Sequence, residues 1–229
     1  MGPLRVAVVD YGAGNLVSIG RALETLGAEV RPATGPGDLA SADALVVPGV
    51  GAAAPAMLRL ERAGLADAIG DWVRADRPCL GICLGLQLAF EGSDEDGATT
   101  LGLLAGRTVA LRDAPTLPHI GWNQVVRRRP HPVLDGIADG ADLYFVHSYV
   151  VAPTDPTIVV ADTTHGSTFP SVVASGSFVG VQFHPERSGP DGRKILADFV
   201  RWAGGPGPIA GTRSDAEAAG RTAIVGGPR

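Results

Sequence analysis

The chain has 229 residues, 19 basic and 24 acidic, for a formal charge of −5. That length suits one α/β domain with a sizeable core, and the charge gives no electrostatic reason to bind nucleic acid or an anionic membrane. Two cysteines without C-x-x-C spacing suggest neither a disulfide framework nor a structural zinc site. The expectation is a reducing, cytoplasmic setting, with no metal and no other cofactor. No apolar run approaches the ~20 residues of a membrane span, and the N-terminal segment reads as a first strand rather than a signal peptide.

Residues 4–9 are a short apolar run ending at Asp10, and they predict a strand. A turn through Gly12 and Gly14 leads into a helical pattern over 16–26. Gly12-Ala13-Gly14 lacks the third glycine of a dinucleotide fingerprint, since Val17 stands there, so no nucleotide site is expected. The β-then-α rhythm recurs: 44–47 predicts a strand closing on Pro48-Gly49, 53–60 and 65–73 predict helices, and 78–82 predicts another strand. Such alternation argues for a mostly parallel sheet with helices on both faces.

From Arg107 onward the helical periodicity fades. Short β-rich segments follow at 108–111, 123–126, 143–151, 158–161, 171–174 and 178–182, which predict an antiparallel or mixed extension of the sheet. A final helix is expected from about Arg193 to Trp202. The basic run Arg127-Arg128-Arg129, followed by Pro130, reads as a solvated loop or an interface edge. Beyond Ala203 a Gly/Pro stretch and a small-residue run carry too little apolar bulk to offset the entropy of ordering. The expected organisation is therefore one domain over 4–203 and a flexible tail over 204–229.

Between the strand at 78–82 and a helical pattern starting near Leu84 stands Gly81-Ile82-Cys83-Leu84-Gly85. A cysteine between two glycines at a strand-to-helix turn reads as a nucleophile elbow, because small neighbours let the backbone bend sharply and leave the sulfur exposed. Free N–H groups at the helix start stabilise negative charge there. Cys79, between Pro78 and Leu80, reads as a buried structural cysteine. A sulfur nucleophile needs a base to move protons and a third group to orient that base. Of the five histidines, His119, His131, His147, His165 and His184, the last is delivered with Pro185 and Glu186 by the apolar run 178–183, at a strand end where ligands of open α/β sheets gather. Alternate positions of an extended segment share one side, so His184 and Glu186 can lie together, and Pro185 favours the extended form of His184.

Pro48-Gly49-Val50-Gly51, Gly81-Ile82-Cys83-Leu84-Gly85-Leu86-Gln87 and Gln182-Phe183-His184-Pro185-Glu186 together resemble the motifs of class I, or triad, glutamine amidotransferases. Tyr11-Gly12-Ala13-Gly14-Asn15-Leu16, His119-Ile120-Gly121-Trp122-Asn123 and Tyr144-Phe145-Val146-His147-Ser148-Tyr149 narrow the resemblance to the glutaminase subunits of imidazole glycerol phosphate synthase, over residues 4 to about 202. The resemblance implies an α/β fold: a flavodoxin-like, mostly parallel central sheet flanked by helices, with an additional antiparallel or mixed β region in the second half. It also implies that Cys83 attacks the side-chain amide carbon of glutamine, that His184 exchanges the protons, and that Glu186 orients the imidazole. Backbone N–H groups of Leu84 and of the Val50 and Gly51 loop are the implied oxyanion donors. Gly49, Gln87, Ser148 and Tyr149 are implied substrate contacts, and Glu95 could meet the substrate's ammonium group, although Asp94-Glu95-Asp96 otherwise reads as a solvated loop.

Ammonia released into water becomes ammonium, a poor nucleophile, so a synthase partner is expected. In the family it is a TIM-barrel cyclase, bound as a heterodimer, which makes imidazole glycerol phosphate and AICAR in histidine biosynthesis. Asn15, Trp122, Tyr144 and Arg187 are the candidates for the shared interface, with Arg187 standing where the family usually has lysine. Two other readings compete: the glutaminase subunit of a different synthase, and a non-enzymatic flavodoxin-like module whose cysteine senses redox state.

Overall fold

Within residues 2–205, which the computed structural model describes, the chain runs β1 (Arg5–Val9), α1 (Leu16–Glu24), β2 (Glu29–Ala33), β3 (Ala44–Val47), α2 (Ala53–Arg62), α3 (Leu65–Arg74), β4 (Cys79–Ile82) and α4 (Leu84–Gln87). It continues through β5 (Gly106–Ala110), β6 (His119–Arg127), β7 (Ala141–His147), β8 (Tyr149–Pro153), β9 (Val159–His165), β10 (Ser167–Ser175), β11 (Phe178–Val181) and α5 (Gly189–Gly204). Nine strands form one sheet in the order β2-β1-β3-β4-β11-β10-β9-β6-β7. The pairings from β2 to β11 are parallel, and every pairing beyond β11 is antiparallel. A separate antiparallel pair joins β5 to β8. The expected parallel sheet with an antiparallel extension is therefore present.

The two-residue period of the strands decides what each face buries. Val6 and Val8 of β1 pack with Ile19 and Leu23 of α1 and with Ile195 and Phe199 of α5. Ala7 and Val9, pointing the other way, join Leu45 and Val47 of β3 against Met57 and Leu60 of α2 and Ile69 and Trp72 of α3. Helix α2 shows the matching pattern, burying Ala53, Ala56, Met57 and Leu60 at helical spacing. Each large aliphatic side chain removed from water in this way contributes about 1.5–3 kcal/mol.

Several local expectations need correction. Strand β2 was not expected, because Glu29, Arg31 and Pro32 break the apolar pattern; it lies at the sheet edge, where charge and a missing N–H are tolerated. The single segment at 143–151 divides at Ser148 into β7 of the main sheet and β8 of the small one. Helix α5 starts at Gly189, earlier than Arg193, with Pro190 in its first turn. The basic run is not a solvated loop. Arg127 reaches the carbonyls of Leu134 and Ile137, Arg128 pairs with Asp162, and Arg129 donates to the carbonyls of Thr157 and Ala174. Of the expected tail, residues 206–229 lie outside the described residues. None of the described helices is long and apolar enough to cross a membrane.

Candidate active site

Strands β4 and β11 are parallel neighbours with Ile82 opposite Val181, so both leave the sheet at the same edge. Cys83 follows directly on one, and His184 arrives from the other. The Cys83 N–H donates to the Val181 carbonyl at 2.8 Å, which extends the pairing by one residue. Cys83 has φ 53° and ψ −107°, a backbone state that costs a residue with a side chain roughly 1–3 kcal/mol and that clusters at functional sites. The flanking glycines serve close packing rather than the bend itself. A Cβ on Gly85 would stand 1.8 Å from the Val47 carbonyl oxygen, and one on Gly81 would stand 2.7 Å from the Gly85 oxygen. Helix α4 spans only four residues, so the sulfur meets the free N–H groups of one turn rather than the macrodipole of a long helix.

His184 is extended, as Pro185 requires, with φ −103° and ψ 96°. Its Nδ1 lies 3.0 Å from Glu186 Oε1, and both side chains are 4% exposed. The segment is tied to β7: the His184 N–H donates to the Tyr144 carbonyl at 2.9 Å, and Ser188 Oγ accepts from the Tyr144 N–H at 2.9 Å while donating to the His184 carbonyl at 2.7 Å. Burial works against charge on the imidazole, but the neighbouring Cys83 sulfur and the Glu186 carboxylate outweigh it and lift His184 to about 10. Nε2, the nitrogen left over once Nδ1 faces the carboxylate, is buried and makes no hydrogen bond among the described residues. Sulfur and imidazole stand at the ends of neighbouring strands, and the sulfur is one cause of the raised His184 pKa.

Behind the sulfur lies a polar network whose connections the sequence does not display. Gln87 is buried, and its Nε2 donates to the Tyr149 carbonyl at 2.9 Å and to Gln182 Oε1 at 3.2 Å. Gln182 Nε2 lies 3.5 Å from Cys83 Sγ. The same Tyr149 carbonyl is 3.1 Å from His147 Nδ1, which must therefore carry the proton. His147 Nε2 is then an acceptor for His119 Nδ1 at 3.0 Å, and His119 Nε2 accepts from Asn123 Nδ2 at 3.2 Å. One chain of donors runs from Asn123 through two neutral histidines to the Tyr149 carbonyl.

Burial, with the charge of neighbouring His165, holds His119 at about 4; burial, with His119 beside it, holds His147 at about 3. An imidazole whose folded pKa lies below its unfolded value of 6.5 contributes stability that is complete above pH 6.5 and is lost as pH falls toward the folded value. His184 has the opposite sign: its contribution is fully present below pH 6.5 and is lost as pH rises through about 10. Below 6.5 only the first kind varies, at about 1.4 kcal/mol per pH unit for buried His147 alone. Urea unfolding is therefore expected to show a lower midpoint at pH 5 than at pH 7, and equal midpoints would contradict the neutral chain.

The Pro48–Gly51 segment closes over the elbow. A Cβ on Gly49 would stand 2.6 Å from Tyr11 Oη and 2.8 Å from Leu84 Cβ, so Gly49 is needed for contact; Gly51, at φ +90°, is the one needed for its dihedral. Tyr11 donates to the Pro48 carbonyl at 3.2 Å, and Val50 is 45% exposed. Glu95 is exposed on its loop, yet that loop is not simply solvated: Asp96 accepts from the Ala54 N–H at 2.6 Å and caps α2 just after Gly51. Ser148, half-buried at the β7–β8 break, accepts from the Leu111 N–H at 2.9 Å. Of the interface candidates, Trp122, Tyr144 and Arg187 form one stack. The Trp122 and Tyr144 rings meet edge to face at 6.1 Å, and the Arg187 guanidinium sits 4.3 Å over Tyr144, a planar contact that lysine does not reproduce. Asn15 is exposed at the start of α1, which packs beside the 185–187 turn.

Residues 7–202 match the family described as Glutamine amidotransferase class-I, and the chain belongs to that family. The fold agrees: a structure titled "Structure of PurLQS from Thermotoga maritima" superposes with a TM-score of 0.72 at 22% identity, covering 88% of this chain and 99% of that one. Two relatives narrow the kinship. The chain is 44% identical over 199 residues to the imidazole glycerol phosphate synthase subunit HisH of Dehalococcoides mccartyi (strain CBDB1), covering 86% of this chain and 97% of the relative. It is 46% identical over 215 residues to the subunit of the same name from Synechococcus sp. (strain JA-3-3Ab), covering 92% and 100%. Within the class, it belongs with these HisH subunits.

Proposed function

We propose that this protein hydrolyses glutamine to glutamate and ammonia and delivers the ammonia to the cyclase subunit of an imidazole glycerol phosphate synthase. The observation that carries the reading is the register of β4 against β11, which sets Cys83 beside the buried His184–Glu186 pair. Cys83 Sγ attacks the side-chain amide carbon of glutamine, and His184 gives a proton to the departing nitrogen, so that ammonia leaves and a thioester remains. Water then gives a proton to His184 and attacks the thioester carbon; glutamate departs, and the sulfur is restored. Glu186 accepts from Nδ1 throughout and keeps Nε2 aimed at the reacting atoms. The Leu84 N–H and the loop at Val50 and Gly51 serve the oxyanion, each aimed donor being worth about 2.7–4 kcal/mol. Gly49, Glu95, Ser148 and Tyr149 border the substrate, while Gln87 has its amide hydrogens committed inside the protein.

The partner is a TIM-barrel cyclase, and its docking face includes Asn15 and the Trp122–Tyr144–Arg187 stack. Trp122 and Ile120 are 57% and 59% exposed on β6, next to that stack. Kinship with named HisH subunits favours this partner over another synthase, and a redox-sensing module leaves the buried His184–Glu186 pair without a use. Cytoplasmic location belongs to the same proposal and is supported by two free thiols. Glutamate release is expected to be low for the subunit alone and to rise at least about tenfold with a cyclase subunit and its nucleotide substrate. Absence of stimulation in a complex that forms removes the assignment.

A further inference from the structure

Gln182 is 0% exposed and belongs to no step derived above. Its amide lies between Gln87 and Cys83, and the network dictates which end faces which neighbour. The Tyr149 carbonyl can only accept, so the part of Gln87 at 2.9 Å from it is the NH2 group. The second hydrogen of that NH2 meets the Gln182 amide at 3.2 Å, which must present its oxygen. The Gln182 nitrogen is thereby turned to the sulfur, 3.5 Å away. The other polar contact of Sγ is the Val146 carbonyl at 3.9 Å, an acceptor that can hold an S–H but repels a thiolate. Among the described side chains, the Gln182 amide has its N–H within hydrogen-bond distance of the sulfur and stands on the side away from the His184 charge.

We propose that Gln182 is a positioning residue for the nucleophile: its amide N–H anchors the Cys83 sulfur and stabilises negative charge on it, with Gln87 fixing the polarity of that amide. The inference rests on the reading of Cys83 as the attacking group. A hydrogen bond to an anionic acceptor is stronger than one to a neutral acceptor, and a buried donor with both ends of its amide engaged has little freedom to turn away. The same bridge reaches the Tyr149 carbonyl, so it ties the nucleophile to the peptide that borders the substrate.

The test uses the full chain, wild type and Gln182→Met, which keeps the length of the side chain but removes the donor. Alkylation of Cys83 by iodoacetamide at fixed pH is followed by peptide mass spectrometry, which separates it from buried Cys79. In parallel, kcat and KM for glutamine are measured with the cyclase subunit bound. Gln182→Met is expected to slow both alkylation and kcat roughly ten- to hundredfold while KM stays within about twofold. Gln182→Leu likewise supplies no donor, and it is expected to slow alkylation as much; it serves if the methionine variant does not fold. Alkylation at the wild-type rate in either folded variant overturns the proposal, whatever becomes of kcat. Wild-type protein that alkylates at Cys83 but releases no glutamate overturns the underlying reading instead.

Discussion

Cys83→Ala is expected to lower glutamine hydrolysis by about four orders of magnitude or more, because the thioester route disappears and what remains is binding and oxyanion stabilisation without a nucleophile. The fold is expected to survive. Alanine keeps the Cβ and inherits the same strained φ of 53°, while the lost sulfur opens only a small space in the core cluster that Cys83 joins. Glutamate release in the presence of the cyclase measures the first effect, and thermal unfolding together with pull-down of the cyclase measures the second. A folded, partner-bound variant that keeps more than about a hundredth of the activity would show that another group performs the attack.

Gly85→Ala acts through stability. The new methyl group would stand 1.8 Å from the Val47 carbonyl oxygen and 2.8 Å from the Val47 carbonyl carbon, both backbone atoms of β3 that no rotamer change can move aside. Either α4 lifts away from the sheet or β3 shifts, and overpacking of this kind costs about 3 kcal/mol or more. Gly51→Ala makes the contrast: its φ of +90° is unfavourable for alanine, but nothing lies within 4 Å, so a cost of about 1–2 kcal/mol is expected. Urea unfolding of the two variants side by side decides the matter; equal stabilities would show that the close approach of elbow and strand is not needed.

The architecture was legible where apolar pattern and burial coincide. Residues 44–47 and 78–82 are uninterrupted apolar runs because both faces of their strands are covered, whereas β2 hides behind Glu29, Arg31 and Pro32 because an edge strand need not be apolar. The break at Ser148 was invisible, since Tyr149-Val150-Val151 continue the β pattern of the residues before them and only the pairing with β5 shows that the chain has changed sheets. The basic run was misread for a similar reason: its partners are carbonyls on distant segments, which composition does not display.

At the site, the elbow glycines and the two-residue spacing of His184 and Glu186 carried local signals strong enough to read. The bend is not what needs those glycines, since Gly81 and Gly85 are required by the atoms packed against them rather than by their own dihedrals. Gln182 stands in the sequence as one letter of a motif, and a glutamine inside an apolar run says nothing of what it faces. Its meaning depends on the alignment of β4 with β11, a relation between segments about a hundred positions apart. His147 and His119 were likewise visible as residues but not as a hydrogen-bonded pair.

The alignment of Ile82 with Val181 also sets a mechanical limit on how this enzyme can be controlled. Adjacent strands keep a spacing of about 4.8 Å that thermal motion barely changes, so the sulfur and the imidazole ride on a common ruler. A docking event cannot switch such a pair by pulling it apart without tearing the middle of the molecule. The parts mounted off the ruler are the ones left free to respond: the Pro48–Gly51 loop, held by the Tyr11 phenol, and the kink at Ser148, held through the Ser148 and Tyr149 carbonyls.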